Sequence, residues 1–76
     1  MSKLPILSGQ EIIKVLNKIG YRVMWQKGSH IRLDCLVLGR KRITVPNYRS
    51  VDKGLLVKIL RNAEITTEEF LKLLKK

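Results

Sequence analysis

His30 is the one histidine of the chain, and it follows Gly28-Ser29 with Lys27 before it and Arg32 after it. An imidazole exchanges a proton near neutrality, so it is the side chain best suited to general acid–base work at physiological pH. In a setting that attracts phosphates, a neutral imidazole can take the proton from a ribose 2′-hydroxyl while that oxygen attacks the adjacent phosphorus. Cationic side chains then stabilise the charge on the phosphorane-like transition state. DNA lacks that hydroxyl, so this chemistry selects RNA. A plainer alternative stands beside it: a lone histidine in a small basic protein is more often an ordinary surface residue.

Other chemistry finds less support. One His, one Cys and six acidic residues give no ligand set with recognisable metal spacing, so no metal or cofactor is expected. Cys35 falls on the apolar side of its segment and reads as a core residue rather than a nucleophile. Ser29 adjoins His30 and must point to the opposite face, and no nucleophile elbow is present, which leaves a Ser-His-acid hydrolase without a site. Trp25 and Tyr48 offer flat rings for unpaired bases. Core packing is an equal alternative for Trp25, whereas Tyr48 follows Pro46-Asn47 in a loop and is expected to be exposed. Lys53, Lys58 and Arg61 are expected mainly to contribute to the general field.

The elements that position these residues are readable from periodicity. Ser8-Gly9-Gln10-Glu11 is a capping box opening a helix from about Gly9 to Ile19, with Gly20 at its left-handed end. Tyr21–Lys27 reads as a strand, but Met24 interrupts its alternation and leaves its inner side undecided. Gly28-Ser29 is a turn. From His30 to about Val37 the alternation is clean: Ile31, Leu33, Cys35 and Val37 on one side, His30, Arg32, Asp34 and Leu36 on the other. After a turn at Gly39-Arg40, a third strand from Arg42 to Val45 puts Ile43 and Val45 inward and Arg42 and Thr44 outward, and Pro46 ends it. Short loops between consecutive strands imply an antiparallel meander.

A second helix follows Asp52, with Leu55, Leu56, Ile59, Leu60 and Ala63 as its apolar stripe. Thr66-Thr67-Glu68-Glu69 caps a third helix carrying Phe70, Leu73 and Leu74. The predicted fold class is α+β in the order α-β-β-β-α-α: a three-stranded antiparallel sheet with helices on one face and a polar, open second face. His30, Arg32, Arg42 and Thr44 are expected on that open face.

Composition bounds the rest. Seventy-six residues make a single domain, residues 1–76, with an ordinary 45% hydrophobic content. Sixteen Lys and Arg against six Asp and Glu give a net charge of +10. That self-repulsion is offset by an anionic partner: nucleic acid, an acidic protein or an anionic membrane. No apolar run approaches a membrane span, and Met1 to Leu7, broken by Lys3 and Pro5, is too short for a signal-peptide core. A single cysteine permits no intramolecular disulfide and fits a reducing cytoplasm.

Taken together, Ser8-Gly9-Gln10-Glu11, Gly20-Tyr21, Gly28-Ser29-His30, Val45-Pro46, and Lys53-Gly54-Leu55 through Ile59-Leu60-Arg61-Asn62-Ala63 cover nearly the whole chain. In this combination the sequence resembles the HicA toxins, also called YcfA-type mRNA interferases. The resemblance implies a double-stranded-RNA-binding-domain-like fold, a catalytic His30, cleavage of mRNA that arrests growth, and a HicB antitoxin covering the active site. Lys27, Gly28, Ser29, Arg32, Arg42, Trp25 and Tyr48 are the expected RNA-binding residues. Two positions depart from the family. Asn47-Tyr48 stands where members often carry a histidine shortly after Val-Pro, and Trp25 stands where a polar or basic residue is common. Without a second imidazole, the general acid falls to Tyr48, Lys27 or water. The competing expectations are a non-catalytic double-stranded-RNA-binding module and a DNA-binding protein.

Overall fold

A computed structural model describes residues 4–37 and 39–75. The first three residues of the segment read for a signal peptide therefore lie outside the described residues. The order is α1 (Gly9–Asn17), β1 (Tyr21–Lys27), β2 (His30–Cys35), β3 (Ile43–Pro46), α2 (Lys53–Asn62) and α3 (Thr67–Leu74). The sheet is antiparallel in the order β1-β2-β3, so the fold class is the α+β arrangement the periodicity predicts.

Each helix begins where a side chain can take up its free N–H groups. Ser8 and Glu11 form a reciprocal capping box on α1, as Thr66 and Glu69 do on α3. Asp52 accepts from the Leu55 N–H at 2.9 Å to open α2. The α1 helix stops at Asn17, short of the predicted Ile19. The N–H groups of Lys18, Ile19 and Gly20 bond back to Val15, Leu16 and Asn17 in tighter turns, and Gly20 then takes φ +106° to send the chain into β1.

A single core lies between the helices and one sheet face. Ile12, Leu16, Tyr21, Ile31, Leu33, Val45, Leu56 and Phe70 are among its fully enclosed members, and Cys35 belongs to it as expected. Tyr21 is satisfied within the core because its hydroxyl donates to the Lys41 carbonyl at 2.8 Å. Arg40 donates to the carbonyls of Ala63 and Glu64 at 2.6 and 2.9 Å. It thereby ties the β2–β3 connection to the end of α2.

Three expectations about the sheet need correction. The second strand ends at Cys35, and Val37 is exposed rather than inward. Pairing with β1 starts at Tyr21↔Cys35. Past it the Leu36 N–H still donates to the Gly20 carbonyl at 3.3 Å, but Gly20, at positive φ, turns the chain there and the ladder goes no further. The third strand begins at Ile43, which leaves Arg42 just ahead of it, and includes Pro46. Proline is tolerated there because β3 is an edge strand. The third correction concerns polarity: Val23, Met24 and Trp25 on the edge strand β1 are all about half exposed, so that margin of the sheet is apolar.

Candidate functional site

The β1–β2 hairpin is closed by Gly28-Ser29. Gly28 sits at φ +59°, and no other residue of that loop has a positive φ. A positive φ at the first loop position alone matches the two-residue turn whose twist fits paired strands. A Cβ added at Gly28 would meet nothing within 4 Å, so the glycine serves the backbone angle and leaves open space over the turn.

This turn sets Lys27 directly across from His30. Both are exposed. His30 also pairs with Pro46 on β3, and the Asn47 N–H donates to the Ser29 carbonyl at 2.7 Å, so the β2–β3 register continues one residue past the strand. Gly9, at the start of α1, donates its N–H to the Tyr48 carbonyl at 2.9 Å. A Cβ on Gly9 would lie 2.1 Å from the Pro46 carbonyl oxygen. Only glycine lets the helix approach this closely. Gln10 adds a hydrogen bond from its side-chain amide to Asn47 Oδ1 at 3.1 Å. Sequence periodicity gave no signal for Gln10 or for the Asn47 backbone, because both act through contacts across the fold.

Two residues along β2 from His30, Arg32 pairs with Trp25 on one side and Thr44 on the other. Trp25 reaches this face because the register shifts between Val23 and Trp25, with Met24 as the extra residue. Tyr21 and Val23 pair with the core-facing Cys35 and Leu33, whereas beyond the bulge Trp25 and Lys27 pair with Arg32 and His30. The bulge is the physical reason Met24 broke the alternation. It also decides between the two readings of Trp25: the indole is 52% exposed on the open face rather than packed in the core. The Arg32 guanidinium carbon lies 5.8 Å from the indole centroid, within cation–π range.

Arg22 pairs with Asp34 across the strands, but its guanidinium donates to the carbonyls of Asn17 and Tyr21. Asp34 is approached instead by Arg42, whose Nε lies 3.6 Å from Oδ1. That is an ion pair but too long for a hydrogen bond, and Oδ1 has no hydrogen bond among the described residues. The charge of Arg42, expected to be free for a ligand, is therefore partly offset.

The expected site residues divide accordingly. His30, Lys27, Gly28 and Ser29 form the hairpin tip, with Arg32 and Trp25 in the next row. Arg42 sits at the far end with Asp34. Tyr48 is an exposed loop residue beyond β3. Lys53, Lys58 and Arg61 occupy exposed positions on α2, in the helical layer rather than on the His30 face. The imidazole of His30 makes no hydrogen bond or ion pair among the described residues. Nor does any group of three or more His, Cys, Asp or Glu side chains among them form a metal cluster.

Fold and surface together define a class: a small basic α+β domain whose one-sided sheet carries a single histidine among cations on its uncovered face. Residues 9–65 match the family model described as HicA toxin of bacterial toxin-antitoxin. The match runs from the first residue of α1 to just before α3, and the chain belongs to the HicA toxin family. It is thus a toxin of the toxin–antitoxin type, and the family implies an antitoxin partner. A search among curated proteins gave no match. No helix among the described residues is long and apolar enough to cross a membrane.

Proposed function

We propose that this toxin is an mRNA interferase, an endoribonuclease of a type II toxin–antitoxin pair acting in the cytoplasm. The observation that carries the reading is the exposed His30 on the uncovered sheet face, with Lys27 directly opposite and Arg32 two residues along the same strand. In this mechanism His30 takes the proton of a ribose 2′-hydroxyl as that oxygen bonds to the adjacent phosphorus. The phosphorus–5′-oxygen bond breaks, and the departing oxygen gains a proton, leaving a 2′,3′-cyclic phosphate and a 5′-hydroxyl. Lys27 and Arg32 stabilise the negative charge on the phosphoryl oxygens. Lys27, facing His30 across the turn, is the best placed of the acid candidates. Gly28 and Ser29 keep the backbone low over the turn, and Arg42, Trp25 and Tyr48 extend the RNA-binding surface.

A net charge of +10 also suits the antitoxin. A HicB-like protein with an acidic or polar surface over this face would silence the toxin by occupying the ground that RNA needs.

One observation favours a second reading. A histidine with no hydrogen-bonded partner to orient it is also what a non-catalytic double-stranded-RNA-binding module would carry. Expression of the parent and of His30→Ala, with mapping of mRNA ends, separates the two. The nuclease reading expects new ends bearing cyclic phosphate with the parent and none with the variant, which keeps its fold and much of its RNA affinity. Full toxicity of His30→Ala would remove the imidazole from the mechanism. Intact single-stranded mRNA after long incubation with the parent would leave the binding module.

A further inference from the structure

Straight alternation from Tyr21 would place Trp25 on the same side as Tyr21 and Val23, toward the helices. The bulge at Met24 turns it to the opposite face, directly across from Arg32. There the indole is half exposed, with the Arg32 guanidinium over the ring. Bulges at sheet edges and beside active sites commonly re-aim one side chain. Exposing the largest aromatic side chain forgoes its burial, so the product of this irregularity is a flat π surface on the cationic face.

Its place on that face is specific. The Trp25–Arg32–Thr44 row is adjacent to the Lys27–His30–Pro46 row. Residues two apart on a strand stand about 6.6 Å apart on the same side, comparable with the step between successive phosphates of an extended single strand. A phosphate held at His30 and Lys27 therefore brings a neighbouring base to the indole. A base inside a duplex has both faces covered by its neighbours, so only an unpaired base can stack on a side chain. Polyanion and flat ring together match a surface that is cationic and aromatic at once.

We propose that Trp25, backed by Arg32, is a stacking subsite for one unpaired base next to the cleaved bond, so that the substrate is single-stranded RNA. The position of this subsite beside the cleaved bond rests on the nuclease reading, while the stacking itself can be measured without catalysis. Trp25 is the only tryptophan in the chain, so its fluorescence reports the subsite directly.

The test uses the full chain carrying His30→Ala, titrated with oligoadenylate, with the same strand annealed to its complement, and with an abasic ribose-phosphate strand of equal length. Oligoadenylate should quench the indole emission. Adding Trp25→Ala should weaken oligoadenylate binding by about 5- to 150-fold, the range for loss of one base–aromatic stack. Trp25→Phe should retain part of that affinity. The abasic strand should bind Trp25→Ala and the tryptophan form alike, and a cooperative thermal melt of the variant establishes separately that it is folded.

Equal oligoadenylate affinity with and without Trp25 would overturn the proposal, as would equal quenching by the duplex. An antitoxin that loses affinity for Trp25→Ala while RNA binding is unchanged would assign the indole to a protein interface instead, and would also overturn it. Failure of the nuclease reading shows separately, as uncleaved RNA with the parent, and leaves the fluorescence result standing.

Discussion

The Asn47 N–H donates to the Ser29 carbonyl at 2.7 Å, and this bond spans the position where His30 faces Pro46. Proline has no N–H to give to the ladder. The register beside His30 is therefore held by Asn47 from the next residue, and Asn47 is itself engaged by Gln10 at the start of α1. The histidine rides on a hairpin whose far side is pinned to the first helix.

Gly9→Ala tests that pinning. The new methyl group would fall on the Pro46 carbonyl, and backbone cannot swing away as a side-chain tip can. We expect a loss of about 1–3 kcal/mol. At roughly 4–8 °C per kcal/mol for a domain of this size, melting should fall by at least several degrees. Unchanged melting would mean that helix and strand separate at little cost.

The hairpin turn makes a contrasting case. Gly28 has room around it but a left-handed φ. Gly28→Ala should cost about 1–2 kcal/mol from backbone strain alone. Gly28→Asn should cost less, because asparagine tolerates that region. Denaturant unfolding of both variants checks the order, and an alanine as stable as the asparagine would refute the strain argument.

Acid should loosen the helix starts. Hydrogen bonds from the Ser8 backbone and side chain hold the Glu11 carboxyl below its usual 4.5, and those from Thr66 do the same for Glu69. A carboxylate depressed in the folded state binds fewer protons there than when unfolded. Its stabilisation is complete above the unfolded value and fades as pH falls through the folded one. Thermal melting followed downward from about pH 5.5 should show a decline that is smaller in Glu11→Gln and Glu69→Gln, which no longer titrate there. An equal acid decline in parent and variants would place the sensitivity elsewhere.

RNA affinity should depend on salt, and Asp34 should modulate it. If about five phosphates are neutralised on a single strand, the log–log slope is roughly −3 to −4. Asp34→Asn removes the carboxylate facing Arg42 and should tighten RNA binding and steepen that slope. A flat salt response would count against phosphate-driven binding, and an Asp34→Asn variant that binds no better would place Arg42 outside the contact.

Local signals sufficed wherever one short stretch carries its own physics. Both capping boxes, the Asp52 cap and the Gly28-Ser29 turn rest on contacts within a few residues, and the clean period of two from His30 to Cys35 already separates His30 and Arg32 from the core. The tertiary structure alone decided the face of Trp25, the end of β2 at Cys35, the pairing of Arg42 with Asp34, and the approach of Gly9 to Pro46. Each depends on where a partner strand or helix lies, and periodicity within one segment carries no record of its neighbour's register.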